Sequence, residues 1–162
     1  MYARDDELSY DLNMNKSTGF KVGVVGCGKV GMTAAFAMLL SGTPSEIVLI
    51  DRTLEKVEGE KLDLEHALPF LDYVKITASD DFSCLSGCDL VVYAAGAPQK
   101  VGETRLDLCK NNKQILRENL PKIIENCPES IILILANPVD VLTFEASKIA
   151  PSIKGRIFGS GT

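Results

Sequence analysis

The feature that most narrows the fold is a set of short strand-length segments, most of them apolar runs that do not alternate with polar residues. Lys21-Val22-Gly23-Val24-Val25, Glu46 to Asp51, Val74 to Ala78, Asp89 to Ala95, Ser130 to Ala136 and Arg156 to Phe158 each have the length of a strand. A strand with one face in water alternates with period two. A continuous Val/Ile/Leu run is buried on both faces, the mark of a parallel sheet covered by helices. Segments of helical spacing lie between the runs. Gly28 to Ser41 carries small and apolar residues and stops at Gly42. Thr53 to Leu68 sets Leu54, Val57, Lys61, Leu62 and Glu65 at helical intervals and closes at Pro69. Asp80 to Leu85 reads as a brief helix, Thr104 to Asn126 as a long one with Pro121 as a point of kinking or splitting, and Val141 to Ala150 as another.

Strand–helix alternation of this kind predicts an α/β fold, a doubly wound parallel six-stranded sheet of Rossmann type with strand order 3-2-1-4-5-6. The chain has 162 residues, one domain's worth, with no internal repeat. Order is expected from Phe20 to Thr162, and residues 1–19 read as a flexible arm or a non-native leader. Hydrophobic residues are 46% and charged residues 24%, too apolar for a disordered chain. With 17 basic against 22 acidic residues and no dense basic run, nucleic acid and anionic membrane are poor partners. No apolar stretch nears the roughly 18–20 residues of a membrane span, and the polar amino-terminal segment is unlike a secretory signal. Five cysteines without a C-x-x-C pair fit buried thiols in a reducing cytoplasm, and one histidine leaves little with which to complete a metal site.

Gly26-Cys27-Gly28-Lys29-Val30-Gly31 matches G-x-G-x-x-G between the first strand and the first helix. Of these glycines, one permits a tight turn, one admits a pyrophosphate to the backbone, and one lets helix and strand pack closely. Amide groups at the helix start then face the phosphates. Asp51 ends the second strand twenty residues beyond Gly31, where its carboxylate can accept from ribose hydroxyls and repel a 2′-phosphate, favouring NAD over NADP. The plainer reading of Asp51 is a helix cap. A rival motif overlaps, because Gly23 to Lys29 also satisfies G-x-x-x-x-G-K, but Val30 stands where a P-loop needs a hydroxyl for magnesium.

Three further segments narrow the family. Gly96-Ala97-Pro98-Gln99-Lys100-Val101-Gly102-Glu103-Thr104-Arg105-Leu106-Asp107-Leu108 resembles the active-site loop of the L-lactate dehydrogenases. Asn137-Pro138-Val139-Asp140-Val141-Leu142-Thr143 resembles the next active-site strand end, and Gly159-Ser160-Gly161-Thr162 the sixth-strand motif. With the glycine turn and Asp51, these make the chain similar to the lactate/malate dehydrogenase family from Phe20 onward. The resemblance implies that Arg105 is a mobile-loop arginine that polarises the substrate carbonyl, with Gly102 helping the loop close. It implies that Gln99 selects the substrate side chain. A neutral residue there leaves a second carboxylate unpaired, so pyruvate is favoured over oxaloacetate; malate and other 2-hydroxy acids are the alternatives. Asn137 is implied to touch nicotinamide and substrate, with Pro138 following a cis peptide bond. Ala136, Gly96, Ala97 and Val30 are implied to lie along the cofactor. Lys56 and Ser160 match cofactor positions as well, each with a plain reading as surface cation or turn residue. Pro98 and Val101 depart from frequent family residues, Arg and Pro respectively.

The same resemblance implies a homotetramer in glycolysis and pyruvate fermentation, and a second domain carrying a catalytic His–Asp pair that the 162 residues do not include. His66, the one histidine, matches a structural position near the end of the second helix. The expectation is a cofactor-binding half that holds NAD without turnover. A stand-alone NAD-binding module, which has no need for Gln99 and Arg105, and a structural interaction domain are the other classes.

Overall fold

The computed structural model describes residues 19–99 and 101–161. Six strands, β1 (Lys21–Val25), β2 (Glu46–Ile50), β3 (Lys75–Ser79), β4 (Leu90–Tyr93), β5 (Ile131–Ile134) and β6 (Ile157–Gly159), form one sheet in the order β3-β2-β1-β4-β5-β6. Every neighbouring pair is parallel. The expected order and class are therefore those of the molecule. The expectation of an arm over residues 1–19 lies, save for Gly19, outside the described residues.

Alternate residues of each apolar run feed opposite layers. Val22 and Val24 of β1, with Ile47 and Leu49 of β2, pack under α1 (Lys29–Ser41) and α2 (Leu54–Glu65) against Ala35, Leu39, Val57 and Leu64. Val25, Val48 and Ile50 face the other way, toward Leu116, Leu120 and Ile123 of α3 (Arg105–Asn126) and Leu142 and Ala146 of α4 (Val139–Ile149). A side chain such as Ile47, wholly removed from water, contributes roughly 1.5–3 kcal/mol, and both layers draw on the same strands.

Element ends differ from expectation by a few residues. α1 ends at Gly42, which takes φ +63° and donates to the Leu39 carbonyl. α2 stops at Glu65, and Pro69 lies inside a short 3₁₀ turn, Leu68–Phe70, instead of closing the helix directly. The long helix is one unbroken element, so Pro121 does not split it. The residue is exposed, as is Arg117, whose carbonyl loses its N–H partner, so the freed group is on the solvent side of the helix. α3 and α4 are tied by Glu145, which is 8% exposed and accepts from Arg117 and pairs with Lys113 at 3.2 Å.

Candidate functional site

Because all six strands are parallel, their carboxyl ends share one edge. From β2 to β6 that edge carries Asp51, then Gly26, then Gly96 and Ala97, then Ala136 and Asn137, then Ser160. The chain leaves β1 toward the α1–α2 layer and β4 toward the α3–α4 layer. Adjacent strands whose connections diverge in this way open a crevice at their carboxyl ends, the place where sheets of this type bind ligands.

On the β1–β2 side the glycines do distinct work. Gly26 takes φ +94°, and a Cβ there would run into the backbone of Ala95 just past β4. A Cβ on Gly31 would strike the Gly26 carbonyl oxygen, so this glycine sets how closely α1 approaches the turn. Gly28 is exposed, and a Cβ there would meet no atom of the chain within 4 Å. It precedes α1, which has no side-chain cap and no acid in its first turn, so the helix's first N–H groups are left without a side-chain acceptor at the cap.

Asp51 is joined to this turn. Its Oδ2 accepts the Cys27 N–H at 2.9 Å, its Oδ1 accepts the Thr53 N–H at 3.4 Å, and Lys56 Nζ lies 3.6 Å from Oδ2. The same ammonium donates to the Cys27 carbonyl at 2.7 Å. Thr53, not Asp51, is the residue at the cap position of α2. Lys56 is thus more than a free surface cation. Gly23 lies inside β1, where a Cβ would collide with Leu85, so the overlapping G-x-x-x-x-G-K pattern is part strand and cannot form a phosphate loop.

On the β4–β5 side the centre is a residue that the sequence reading passed over. Asn112 of α3 is 3% exposed; its Oδ1 accepts the Ala97 N–H at 2.8 Å and its Nδ2 donates to the Asn137 carbonyl at 2.7 Å. Its signal was a polar residue in the stripe Asn112, Leu116, Leu120 and Ile123, which otherwise reads as core. The Asn137–Pro138 bond is cis, as the resemblance implied, and the Ala136 N–H donates to the Tyr93 carbonyl at 3.1 Å. In the loop after β4, Gln99 is exposed and its Nε2 donates to the Glu103 carbonyl at 2.7 Å, while Gly102 takes φ +84°. Arg105 is the exposed first residue of α3, behind a capping box in which Thr104 and Asp107 exchange hydrogen bonds. Hydrogen bonds from the Thr104 hydroxyl and N–H hold the Asp107 carboxyl below its usual range.

Between the two sides, Val30 is 57% exposed and lines a shallow apolar groove with Lys29, Thr33, Ala34, Ala37 and Leu135. The Ser160 N–H donates to the Ile134 carbonyl at 3.0 Å, placing that exposed residue at the same edge. His66 is exposed at the carboxyl end of α2, its N–H on the Leu62 carbonyl. Among the described residues no group of three or more His, Cys, Asp or Glu could hold a metal, and no helix is long and apolar enough to cross a membrane.

Residues 20–159 match the model of the lactate/malate dehydrogenase NAD-binding domain. L-lactate dehydrogenase of Synechococcus sp. is 43% identical over 142 residues, covering 88% of this chain and 46% of that protein. The enzyme of the same name from Clostridium botulinum is 43% identical over 149 residues, covering 92% and 46%. Among solved structures, a lactate dehydrogenase from a Medee basin deep-sea metagenome library superposes with a TM-score of 0.82 at 41% identity, and the minor L-lactate dehydrogenase of Enterococcus mundtii with 0.84 at 36%. Both comparisons cover 89% of this chain and 46% of the other. The chain spans about half the length of the curated relatives it matches.

Proposed function

This chain belongs to the lactate/malate dehydrogenase family through its NAD-binding domain, and we propose on that footing that it is the cofactor half of an NAD-dependent L-lactate dehydrogenase. The family's cofactor is NAD, and the β1–β2 side fits it. Gly28 keeps the space before the exposed start of α1 clear of a side chain, the uncapped helix start suits a pyrophosphate, and Asp51 keeps acceptor capacity beyond its bonds to Cys27 and Thr53. NAD held there would supply hydride exchange with the carbon that bears the substrate oxygen.

The chain's own residues orient and select. Gly26, Gly28 and Gly31 shape the pyrophosphate turn. Asp51, steered by Lys56, accepts from the adenosine ribose and disfavours a 2′-phosphate. Val30, Gly96, Ala97, Ala136 and Ser160 line the cofactor's course. Asn137 holds nicotinamide and substrate together, and Arg105, brought in by its loop, stabilises charge developing on the substrate oxygen. Neutral Gln99 offers no partner to a second carboxylate, a deficit of about 1–3 kcal/mol that turns selection toward pyruvate and lactate.

Hydride transfer to a ketone also needs a proton donor. The single histidine, His66, is at the end of α2, and we assign it no chemical part. Lacking such a group costs ~100- to 10,000-fold in rate, so the chain alone binds NAD with negligible turnover. The complete enzyme is placed in the cytoplasm, at the pyruvate end of glycolysis, as a homotetramer. Exposed Phe36 and Leu40 on α1, Phe144 on α4 and Phe158 on β6 support burial against further protein.

The carrying observation is the interlocked unit of Asp51, Cys27 and Lys56 at the crevice. Titration with NADH and NADPH, followed by nucleotide fluorescence, tests it. NADH binds saturably and more tightly than NADPH. Asp51→Ala weakens NADH about 10- to 100-fold and narrows its advantage over NADPH, because Lys56 loses its carboxylate. Equal binding of the two nucleotides, unchanged by the substitution, defeats the assignment.

A further inference from the structure

Asn112 occupies a core-facing position on α3, yet its amide is committed to backbone from two other segments. Oδ1 takes the Ala97 N–H at 2.8 Å; Nδ2 gives to the Asn137 carbonyl at 2.7 Å and more weakly to the Ala97 carbonyl at 3.5 Å. The orientation of the amide follows from its partners, since an N–H needs the oxygen and two carbonyls need the NH₂. Gly96 completes the arrangement, because a Cβ there would stand 3.2 to 3.3 Å from the Asn112 amide atoms. One buried side chain thereby bridges residues 15 and 25 positions away, across the carboxyl ends of β4 and β5.

We propose that Asn112 is a positioning residue that fixes the separation between Gly96–Ala97 and Asn137, so that the nicotinamide half of the dinucleotide meets a preformed wall. The inference rests on the dinucleotide reading above. Asn112 acts through the backbone it holds. The adenylate half belongs to the β1–β2 unit of Asp51, Lys56 and Cys27, which shares no hydrogen bond with Asn112. Affinity for the two halves is therefore separable.

The test titrates the chain and its Asn112→Leu and Asn112→Asp variants with NADH and with AMP, alongside urea unfolding. Leu is close to Asn in shape and removes every bond. Asp keeps the acceptor for Ala97 but sets an acceptor against the Asn137 carbonyl. Both variants are expected to lose about tenfold in NADH affinity while AMP affinity stays within about twofold. Asn112→Asp, which keeps the bond from the Ala97 N–H, carries the test should Asn112→Leu fail to fold. Parallel loss of NADH and AMP assigns Asn112 to general stability and overturns the proposal, as does unchanged NADH binding. If the unsubstituted chain binds neither nucleotide, the dinucleotide reading falls first and the inference with it.

Discussion

On the β1–β2 side of the crevice, the polar groups that shape the candidate site already hold one another: Asp51 the Cys27 N–H, Lys56 both Asp51 and the Cys27 carbonyl. On the β4–β5 side the backbone is braced, while Gln99, Arg105 and Asn137 stand exposed. Gln99 is turned onto its own loop. The contrast separates two demands on one ligand. Holding a nucleotide rewards a rigid, preorganised surface, because little freedom remains to be lost on binding. Enclosing a reacting centre requires groups that arrive late and exclude water.

The contrast breaks most visibly at the glycines. Gly26→Ala combines a left-handed backbone with a collision on Ala95, and is expected to cost roughly 2–4 kcal/mol of unfolding free energy by urea titration. Gly28→Ala meets nothing of the chain, so stability moves by about 1 kcal/mol or less; NADH affinity falls about tenfold as the added methyl occupies space before the helix start. Equal stability losses at both positions refute the division of labour within the turn.

A smaller effect is expected where α3 is held to α4. Hydrogen bonding from Arg117, with Lys113 beside it, keeps the Glu145 carboxyl below its ordinary range near 4.5. The stability this confers is present above the unfolded-chain value and fades as pH falls through the lowered folded value. Glu145→Gln is expected to cost about 1–2 kcal/mol at pH 7 and to flatten the acid limb of a stability–pH curve. An unchanged acid limb removes Glu145 from the support of the β4–β5 side.

The smallest effect falls at the mouth of the loop. Thr104→Ala removes one half of the α3 capping box, at about 1 kcal/mol. The Asp107 carboxyl then returns toward its usual range, a change read by NMR titration. If it does not move, the box is not what lowers it.

The strands, their order and the glycine turn were legible because each rests on local chemistry. A β-branched run buried on both faces, a glycine where φ is positive and a carboxylate twenty residues on all leave marks within a short window. Pro121 left open whether the long helix would kink or split, because breaking a helix depends on what surrounds the freed carbonyl, and here that side is exposed. Asn112 was invisible for a related reason. Its partners are main-chain groups that the fold brings together, and a backbone carbonyl carries no residue code. The bond between Gln99 and the Glu103 carbonyl is hidden in the same way. Asp51 was found for its expected ligand, but not for the Cys27 N–H it already holds.

Cys27, the variable residue inside the glycine motif, is fully buried, and its Sγ is 3.6 Å from the Ile50 carbonyl oxygen. Burial first, then the charge of Asp51, pushes its thiol up to about 12. At neutral pH the buried group is therefore held as the thiol and not as the thiolate, the form that reacts with alkylating reagents. The folded turn therefore conceals a clock: modification of Cys27 advances only during the moments when β1 and the start of α1 come apart, and its rate counts those openings.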